Sequence, residues 1–338
     1  MPDFLIDQLH PERKKLSIIS IRTFFCIPSS ILKQMRFLPF LIIVPIILSF
    51  SYFINHKSFI ITPSPTINLV PTSTPIPTLA PKVTVGFVGD LGLGRHITST
   101  ARAKNDFFWS FREIHPWLDQ NDFNLANLES PIIKDCPPGP TGTFTFCGDT
   151  RFIPYLSSFV LNLNNNHILN YGIDGLNQTK AYLPNNSFYD DFFIKNINGI
   201  SFGFLGYDFI TYPKTNKTEV INKISQYRPS VDFLIVSIHW GNEYLPEAEK
   251  WRVDFAHQII DAGADVIHGH HPHVWQDIET YKNKLIFYSF GNFIFDQSWS
   301  YETSHSQAAR LVFQKGELPT YELFPYAIKF NSQPVLTP

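Results

Sequence analysis

Five stretches of the chain end in side chains that can hold a metal ion. They are Asp90 in GDLGLGR, Glu129 in ANLESPI, Asn166 with His167 in NNHILNYG, His239 in SIHWG, and four histidines within HGHHPH: His268, His270, His271 and His273. Neutral imidazole and carboxylate suit zinc, manganese or iron, and a ligand set without cysteine argues against a structural zinc site. One carboxylate can bridge two cations about 3.5–4 Å apart, which together acidify a water and neutralise a developing phosphoryl or tetrahedral oxyanion. A histidine beside an asparagine ligand can then protonate the leaving group. Taken singly, each residue has a plainer reading: Asp90 as a turn residue, Glu129 as a solvated strand end before Pro131, His239 as a half-buried histidine. The plain reading of HGHHPH, a solvated loop, is the weakest of these. The joint pattern is what points to a site.

Each of these residues follows an apolar run that reads as a buried strand: VTVGFVGD, FNLANLES, FVLNLNNNH, VDFLIVSIHWG and ADVIHGHHPHV. WRVDFAHQIIDAGA has the spacing of an amphipathic helix ending at Gly263, and KLIFYSFGNFIF reads as one strand of a late sheet. β-branched runs alternating with helical patterns predict an α/β fold whose strands are covered on both faces. In open sheets of that kind, ligands bind beyond the carboxyl ends of the strands, so five segments can deliver oxygen and nitrogen to one crevice. Residues 83–330 contain no repeat and no clean internal boundary, and read as one domain. The tryptophans read mostly as core, while Trp240 and Trp275 adjoin ligand segments and can shape a pocket.

The N-terminal part differs in kind. Residues 37–55 contain FLPFLIIVPIILSFSYFI, an uncharged run that at about 1.5 Å per residue approaches the roughly 30 Å of bilayer hydrocarbon. Pro39 and Pro45 are tolerated in a membrane helix. The run reads as an uncleaved transmembrane anchor. A cleaved signal peptide fits less well, because a long segment precedes it and no small-residue cleavage site follows. Lys and Arg are concentrated before the run and only Lys57 lies near its far end, which places residues 1–36 in the cytoplasm and the main domain outside the cell. Residues 56–82, including TPSPTINLVPTSTPIPTLAPK, form a Pro/Thr/Ser-rich linker that cannot bury a core. Of 27 Lys/Arg and 29 Asp/Glu, most of the basic excess lies in the N-terminal segment, so the domain is mildly acidic. It has no general attraction for phosphate backbones, and nucleic acid is not an expected partner. Cys136 and Cys147 flank a Pro/Gly-rich stretch; outside the cell they can close a loop as a disulfide, or they can remain thiols.

GDLGLGR (89–95), ANLESPI (126–132), NNHILNYG (165–172), SIHWGNEY (237–244), DAGADVIHGHHPHV (261–274) and YSFGNFIFD (288–296) resemble, in order, the blocks of the bacterial capsule-synthesis CapA, or poly-γ-glutamate biosynthesis, family. That family is similar in turn to calcineurin-like metallophosphoesterases. The resemblance implies an α/β sandwich of two mixed β-sheets flanked by helices, preceded here by one transmembrane helix. It also implies two divalent metals, manganese, zinc or iron. Asp90 would serve the first metal, Glu129 would bridge, Asn166 and His239 would serve the second, and His271 and His273 would serve the second and the first. His167 would take the general-acid place. His268 and His270 share the H-x-H spacing, but the family block reads G-x-H-P-H-V, which selects the later pair and leaves His270 at a variable position. Arg95 would hold an anionic substrate group or make a salt bridge. Glu243 would touch substrate or orient a ligand, and Asn292 would line the pocket or turn the chain with Gly291.

Two positions depart from the pattern. Gly92 stands where metallophosphoesterases carry a histidine, a gap that His96 could fill, and Asn170 stands where an acid would orient His167. The implied activity is that of a metal-dependent, phosphoesterase-like hydrolase acting outside the membrane on an anionic envelope polymer or its precursor, within a capsule-synthesis complex. The alternative left open is a tethered accessory subunit that binds polymer without catalysis.

Overall fold

The apolar runs become strands. A computed structural model describes residues 80–137, 143–211 and 215–338. Its strands are β1 (Lys82–Leu91), β2 (Phe123–Leu128), β3 (Ile132–Ile133), β4 (Gly148–Asp149), β5 (Phe159–Asn162), β6 (Ser187–Phe188), β7 (Phe193–Ile197) and β8 (Ile200–Asp208). There follow β9 (Phe233–His239), β10 (Val266–His270), β11 (Ile278–Tyr281), β12 (Lys284–Phe287), β13 (Asn292–Ile294), β14 (His305–Gln314), β15 (Thr320–Lys329) and β16 (Gln333–Leu336). The helices are α1 (Arg95–Lys104), α2 (His115–Leu118), α3 (Gly172–Tyr182), α4 (Lys217–Tyr227), α5 (Lys250–Asp261) and α6 (Tyr301–Ser304). The anchor expected over residues 37–55 and nearly all of the 56–82 linker lie outside the described residues. Among the described residues, no helix is long and apolar enough to cross a membrane.

Two mixed sheets carry the fold, as the family resemblance implies. The first runs β16-β15-β14-β1-β2-β5-β6, with β13 paired to the far end of β1. In it β1, β2, β5 and β6 are parallel, and β14, β15 and β16 are antiparallel additions. The second runs β11-β12-β10-β9-β8-β7, parallel at its centre and antiparallel at both edges. Phe87, Phe123 and Val160 of the first sheet pack against Phe202, Ile235 and Val266 of the second. The outer face of the first sheet is covered through Ile97, Trp117 and Leu176, and that of the second through Ile224, Phe255 and Ile259. With both faces covered, a strand needs apolar side chains at consecutive positions, which is why FLIVSIH of β9 is buried throughout. Each such Phe, Leu or Ile contributes about 1.5–3 kcal/mol on burial.

One sequence expectation is corrected. KLIFYSFGNFIF is two strands: β12 belongs to the second sheet and β13 to the first. The chain crosses between them at Gly291, whose φ of +61° suits glycine. The Gly291 carbonyl accepts the Asp90 N–H at 2.9 Å. A Cβ on Gly89 would stand 1.9 Å from that carbonyl oxygen, so backbone meets backbone here and a side chain is excluded. This crossover draws the ends of the two sheets together beside Asp90. Residues beyond 300 also prove central, since β14 pairs along β1 from Lys82 to Phe87.

Candidate metal centre

Register fixes the floor of the site. Across the first sheet Asp90, Asn127 and Asn162 are aligned, and across the second Asp208, His239 and His270 are aligned. Asp90, Asn127, Asn162, His239 and His270 are fully buried. The Asn127 amide ties them together. It donates to Asp90 Oδ1 at 2.9 Å, accepts from Asn162 at 3.2 Å and from Asn165 at 3.1 Å, and lies 3.3 Å from His239 Nδ1. Asn165 Oδ1 in turn accepts the backbone N–H groups of His167 and Ile168, which turns the loop that presents His167.

Glu129 sits immediately after β2, held by its N–H donating to Leu91 O at 2.9 Å. Its Oε1 is buried with no hydrogen-bond partner. The imidazoles of His273, His239 and His167 approach that oxygen to 3.7, 3.8 and 3.9 Å. Around His239 Nε2 stand Asn166 Oδ1 at 3.0 Å and His271 Nδ1 at 3.2 Å. A single ring nitrogen can make only one of these hydrogen bonds well, so one of the two neighbours is left without it. His273 Nδ1 is 3.1 Å from Asp90 Oδ2, another buried oxygen without a hydrogen bond. Asp90, Glu129 and His273 can offer atoms to one cation, and so can Glu243, His271 and His273. His271 and His273 reach these positions at φ +95° and +58°, sparsely populated conformations for residues with a Cβ.

The electrostatics have the same meaning. Burial pushes Glu129 well above the usual carboxylate range, and the charges of Asp90 and Glu243 add to it. Burial acts the same way on Asp90, but His270 and His273 beside it outweigh that effect and hold its carboxyl well below its ordinary value. Two close carboxylates in a dry pocket cannot both stay ionised unaided, whereas a bridging cation permits it. Burial lowers His239 far below its ordinary value, with His271 adding to the effect, and lowers His271 to about 3 with the help of His273. Such imidazoles are neutral at physiological pH, as metal ligation requires. Unpartnered buried oxygens among neutral imidazoles fit divalent cations, with Asp90, Glu129, Asn166, His239, His271 and His273 as the residues that would hold them.

His167 lies at the mouth. Its ring stacks on Phe146 at 4.0 Å, and its Nδ1 is 3.1 Å from Asn170 Oδ1, which also accepts the Phe146 N–H at 2.7 Å. Burial lowers its pKa to about 4, the Asn170 hydrogen bond opposing and the charges of His273 and Arg95 assisting. Phe146 is delivered by a loop that the Cys136–Cys147 disulfide closes, with Cα atoms 5.9 Å apart.

The three residues expected at the substrate fare differently. Arg95 spends its fork on Asp296, with Nε at 3.1 Å from Oδ2, and its Nη1 donates to Thr143 O at 3.2 Å. Its charge is therefore already paired, although it stands near enough to act on Glu129 and His167. Glu243 is exposed and close to His271 and His273, a place from which it can serve a metal. Asn292 is buried and cannot line an open pocket; its Oδ1 lies 3.0 Å from His273 Nδ1 and orients that ring. His96 does not fill the Gly92 gap, because its ring lies 3.2 Å from Thr100 Oγ1 on its own helix. A Cβ at Gly92 would meet the Phe295 ring at 2.6 Å. Trp240 is core, its Nε1 donating to Tyr288 O at 3.0 Å, while Trp275 lines a cavity.

The sequence reading names His270 but sets it aside for the later histidine pair, and it does not single out Asn127. His270 Nδ1 is 3.1 Å from Asp90 Oδ1, and its Nε2 is 2.9 Å from His268 Nδ1. His268 Nε2 stands 2.9 Å from Val88 O, a carbonyl that can only accept, so neutral rings donate from His270 to His268 and on to Val88 O, leaving His270 Nδ1 toward Asp90. The signal for both was present in the sequence: a polar residue late in an otherwise apolar strand.

Residues 84–297 match the family model described as bacterial capsule synthesis protein PGA_cap. The chain is 30% identical over 253 residues to the capsule biosynthesis protein CapA of Bacillus anthracis, covering 65% of this chain and 61% of that protein. It is 28% identical over 275 residues to the PGA biosynthesis protein CapA of Bacillus subtilis strain 168, covering 73% and 72%. Among solved structures, a hypothetical protein from Thermus thermophilus is similar at 15% identity and a TM-score of 0.49, covering 72% of this chain and 99% of that one.

Proposed function

The chain belongs to the bacterial capsule synthesis PGA_cap family, and on that premise we propose that it is a membrane-anchored, extracytoplasmic metal-dependent hydrolase of a capsule or poly-glutamate polymer, or of its precursor. The relatives named for capsule and PGA biosynthesis support the pathway. The anchor and its orientation rest on the uncharged run at 37–55 and the basic segment before it. The observation that carries the chemistry is Glu129 Oε1, buried and without a hydrogen bond among three imidazoles at 3.7–3.9 Å.

Divalent cations bound there would supply Lewis acidity toward a phosphoryl or acyl oxygen and an acidified water. The chain's own groups do the rest. Asn127 and Asn292 fix the orientations of Asp90 and His273. Asn170 and Phe146 hold the His167 ring so that its Nε2 faces the site, where it can take or give a proton at the reacting oxygen. The low basicity of His167 means that it begins the cycle neutral and acquires its proton within the reaction.

The purified full-length chain in detergent is expected to carry close to two transition-metal ions and to hydrolyse bis-p-nitrophenyl phosphate, losing both on chelation. Glu129→Gln is expected to lose metal and turnover together with its circular dichroism unchanged. Metal-free protein as isolated from cells would overturn the site. Metal-loaded protein without turnover would favour a second reading, a polymer-binding accessory subunit. That reading has its own support in Gly92, where Phe295 fills the space a further ligand would need.

A further inference from the structure

Beside the metal cluster lies a second feature that the chemistry above does not use. A cavity of about 880 Å³ opens on the domain surface, in the size range of small-molecule sites at roughly 300–1,000 Å³. Five aromatic residues line it: Tyr244, Trp275, Trp299, Tyr301 and Tyr326. Three of them are well exposed, Tyr244 at 42%, Trp299 at 63% and Tyr301 at 70%. Grouped exposed aromatics on a folded surface mark a binding site.

These rings are braced. Trp299 meets Tyr244 edge-on at 5.7 Å, and Tyr301 stacks on His305 at 4.0 Å. Ser300 caps α6 with a reciprocal hydrogen-bond pair to Thr303, which fixes the backbone between Trp299 and Tyr301. The cavity also adjoins the metal cluster. The Tyr244 ring lies 6.3 Å from that of His273, and the Tyr326 hydroxyl donates to Asn292 O at 2.6 Å. Tyr244 and Tyr326 are thus the residues through which the cavity wall touches the side chains around His273.

Charge selects the ligand. No Lys or Arg is among the described residues lining the cavity, which instead includes the carboxylate of Glu302 and the amide of Gln307. A poly-glutamate strand carries a carboxylate on every unit and would find repulsion where it needs cations. An uncharged sugar unit offers an apolar face of C–H groups to an aromatic ring and a rim of hydroxyls to carboxylates and amides. We propose that this cavity, beside the metal centre, binds a neutral saccharide, as a subsite for a sugar-bearing polymer or acceptor. The assignment rests on the reading of the metal cluster as the reactive centre, but none of the five rings belongs to the proposed ligand set.

The test is titration of the full-length chain in detergent with uncharged β-1,4-linked hexamers of glucose and of N-acetylglucosamine, a mannose hexamer, and a γ-linked glutamate decamer, read by tryptophan fluorescence and calorimetry. Saturable binding of at least one neutral sugar is expected. It should weaken at least tenfold in Trp299→Ala and in Tyr301→Ala and persist after chelation, with metal content unchanged in both variants. Absence of binding to every sugar, or sugar binding indifferent to both substitutions, would overturn the proposal. So would a glutamate decamer that binds and is lost in Trp299→Ala. Self-association abolished by the same substitutions without sugar binding would assign the face to a second copy, and overturns it equally. Failure of the hydrolase reading shows separately, as metal-free or inactive protein that still binds sugar.

Discussion

Asp90, Asn127 and His239 are fully buried on strand ends, whereas Tyr244, Trp299 and Tyr301, in the neighbouring cavity, stand 42, 63 and 70% exposed in loops and a one-turn helix. The buried set is positioned by register: a row from one sheet faces a row from the other, and an error of one residue would turn every ligand to the wrong side. The exposed set is positioned by local devices, a helix cap and ring-on-ring contacts. A reaction centre with a fixed demand for geometry is thus built where packing permits one arrangement. The surface that meets a long ligand is built where residues can change without disturbing the sheets. Floor and rim should therefore fail differently when damaged.

The largest effect is expected at the floor. In Asn127→Ala, Asp90 loses a donor, and Asn162 and Asn165 lose an acceptor. Loss of such an outer partner typically weakens metal binding by roughly 10–100-fold, measurable by competition with a fluorescent chelator. Buried groups left unpaired add a stability cost of about 1–3 kcal/mol, read from urea unfolding. If Trp299→Ala at the rim loosened metal as much as Asn127→Ala does, the distinction between the two regions would be gone.

The floor was also the more legible region. Asp90, Glu129, Asn166, His239, His271 and His273 each follow an apolar run, and the end of a parallel strand is where a polar residue has a reason to be. Asn127 and His270 were harder, because they lie within the runs and their partners come from strands distant in sequence, a pairing that periodicity does not encode. KLIFYSFGNFIF misled because its apolar pattern is unbroken while Gly291 takes the chain from one sheet to the other. The rim left almost no trace. Trp299 and Tyr301 sit in QSWSYETS, where nothing local says that two rings will face Tyr244 and Trp275. The disulfide was legible as a possibility; the use of its loop to lay Phe146 on His167 was not.

The disulfide loop offers the next smaller test. Cys136→Ser removes a covalent closure worth about 2–3 kcal/mol for a loop of this length, and the midpoint of urea unfolding should fall accordingly. Metal content should stay at its original level, since neither cysteine nor Phe146 is among the ligands. Turnover of bis-p-nitrophenyl phosphate should drop by a smaller factor, as the Phe146 platform under His167 loosens. Metal loss equal to that of Asn127→Ala would show that the loop is part of the floor.

A further test lies where the two regions join. His271 at about 3 and His167 at about 4 refuse protons in the fold that the unfolded chain accepts near 6.5. The unfolded state therefore binds more protons between those values. Metal-free protein should lose stability as pH falls from about 6.5, the His167 part down to about 4 and the His271 part down to about 3, with no contribution from these groups above that window. Asn170→Asp sharpens the point. A carboxylate 3.1 Å from His167 Nδ1 can keep the Phe146 N–H bond and should raise the pKa of His167 by roughly 1–3 units. The His167 part of the acid-induced loss then shrinks, because its folded pKa approaches the unfolded value near 6.5, while the His271 part stays. If His167 delivers a proton to the leaving group, turnover at pH 7 should rise several-fold. The gain is smaller than the growth in protonated fraction, because a weaker acid donates less readily. A stability profile that shifts without any change in rate would mean that His167 only packs against the loop, and the proton would have to come from another group.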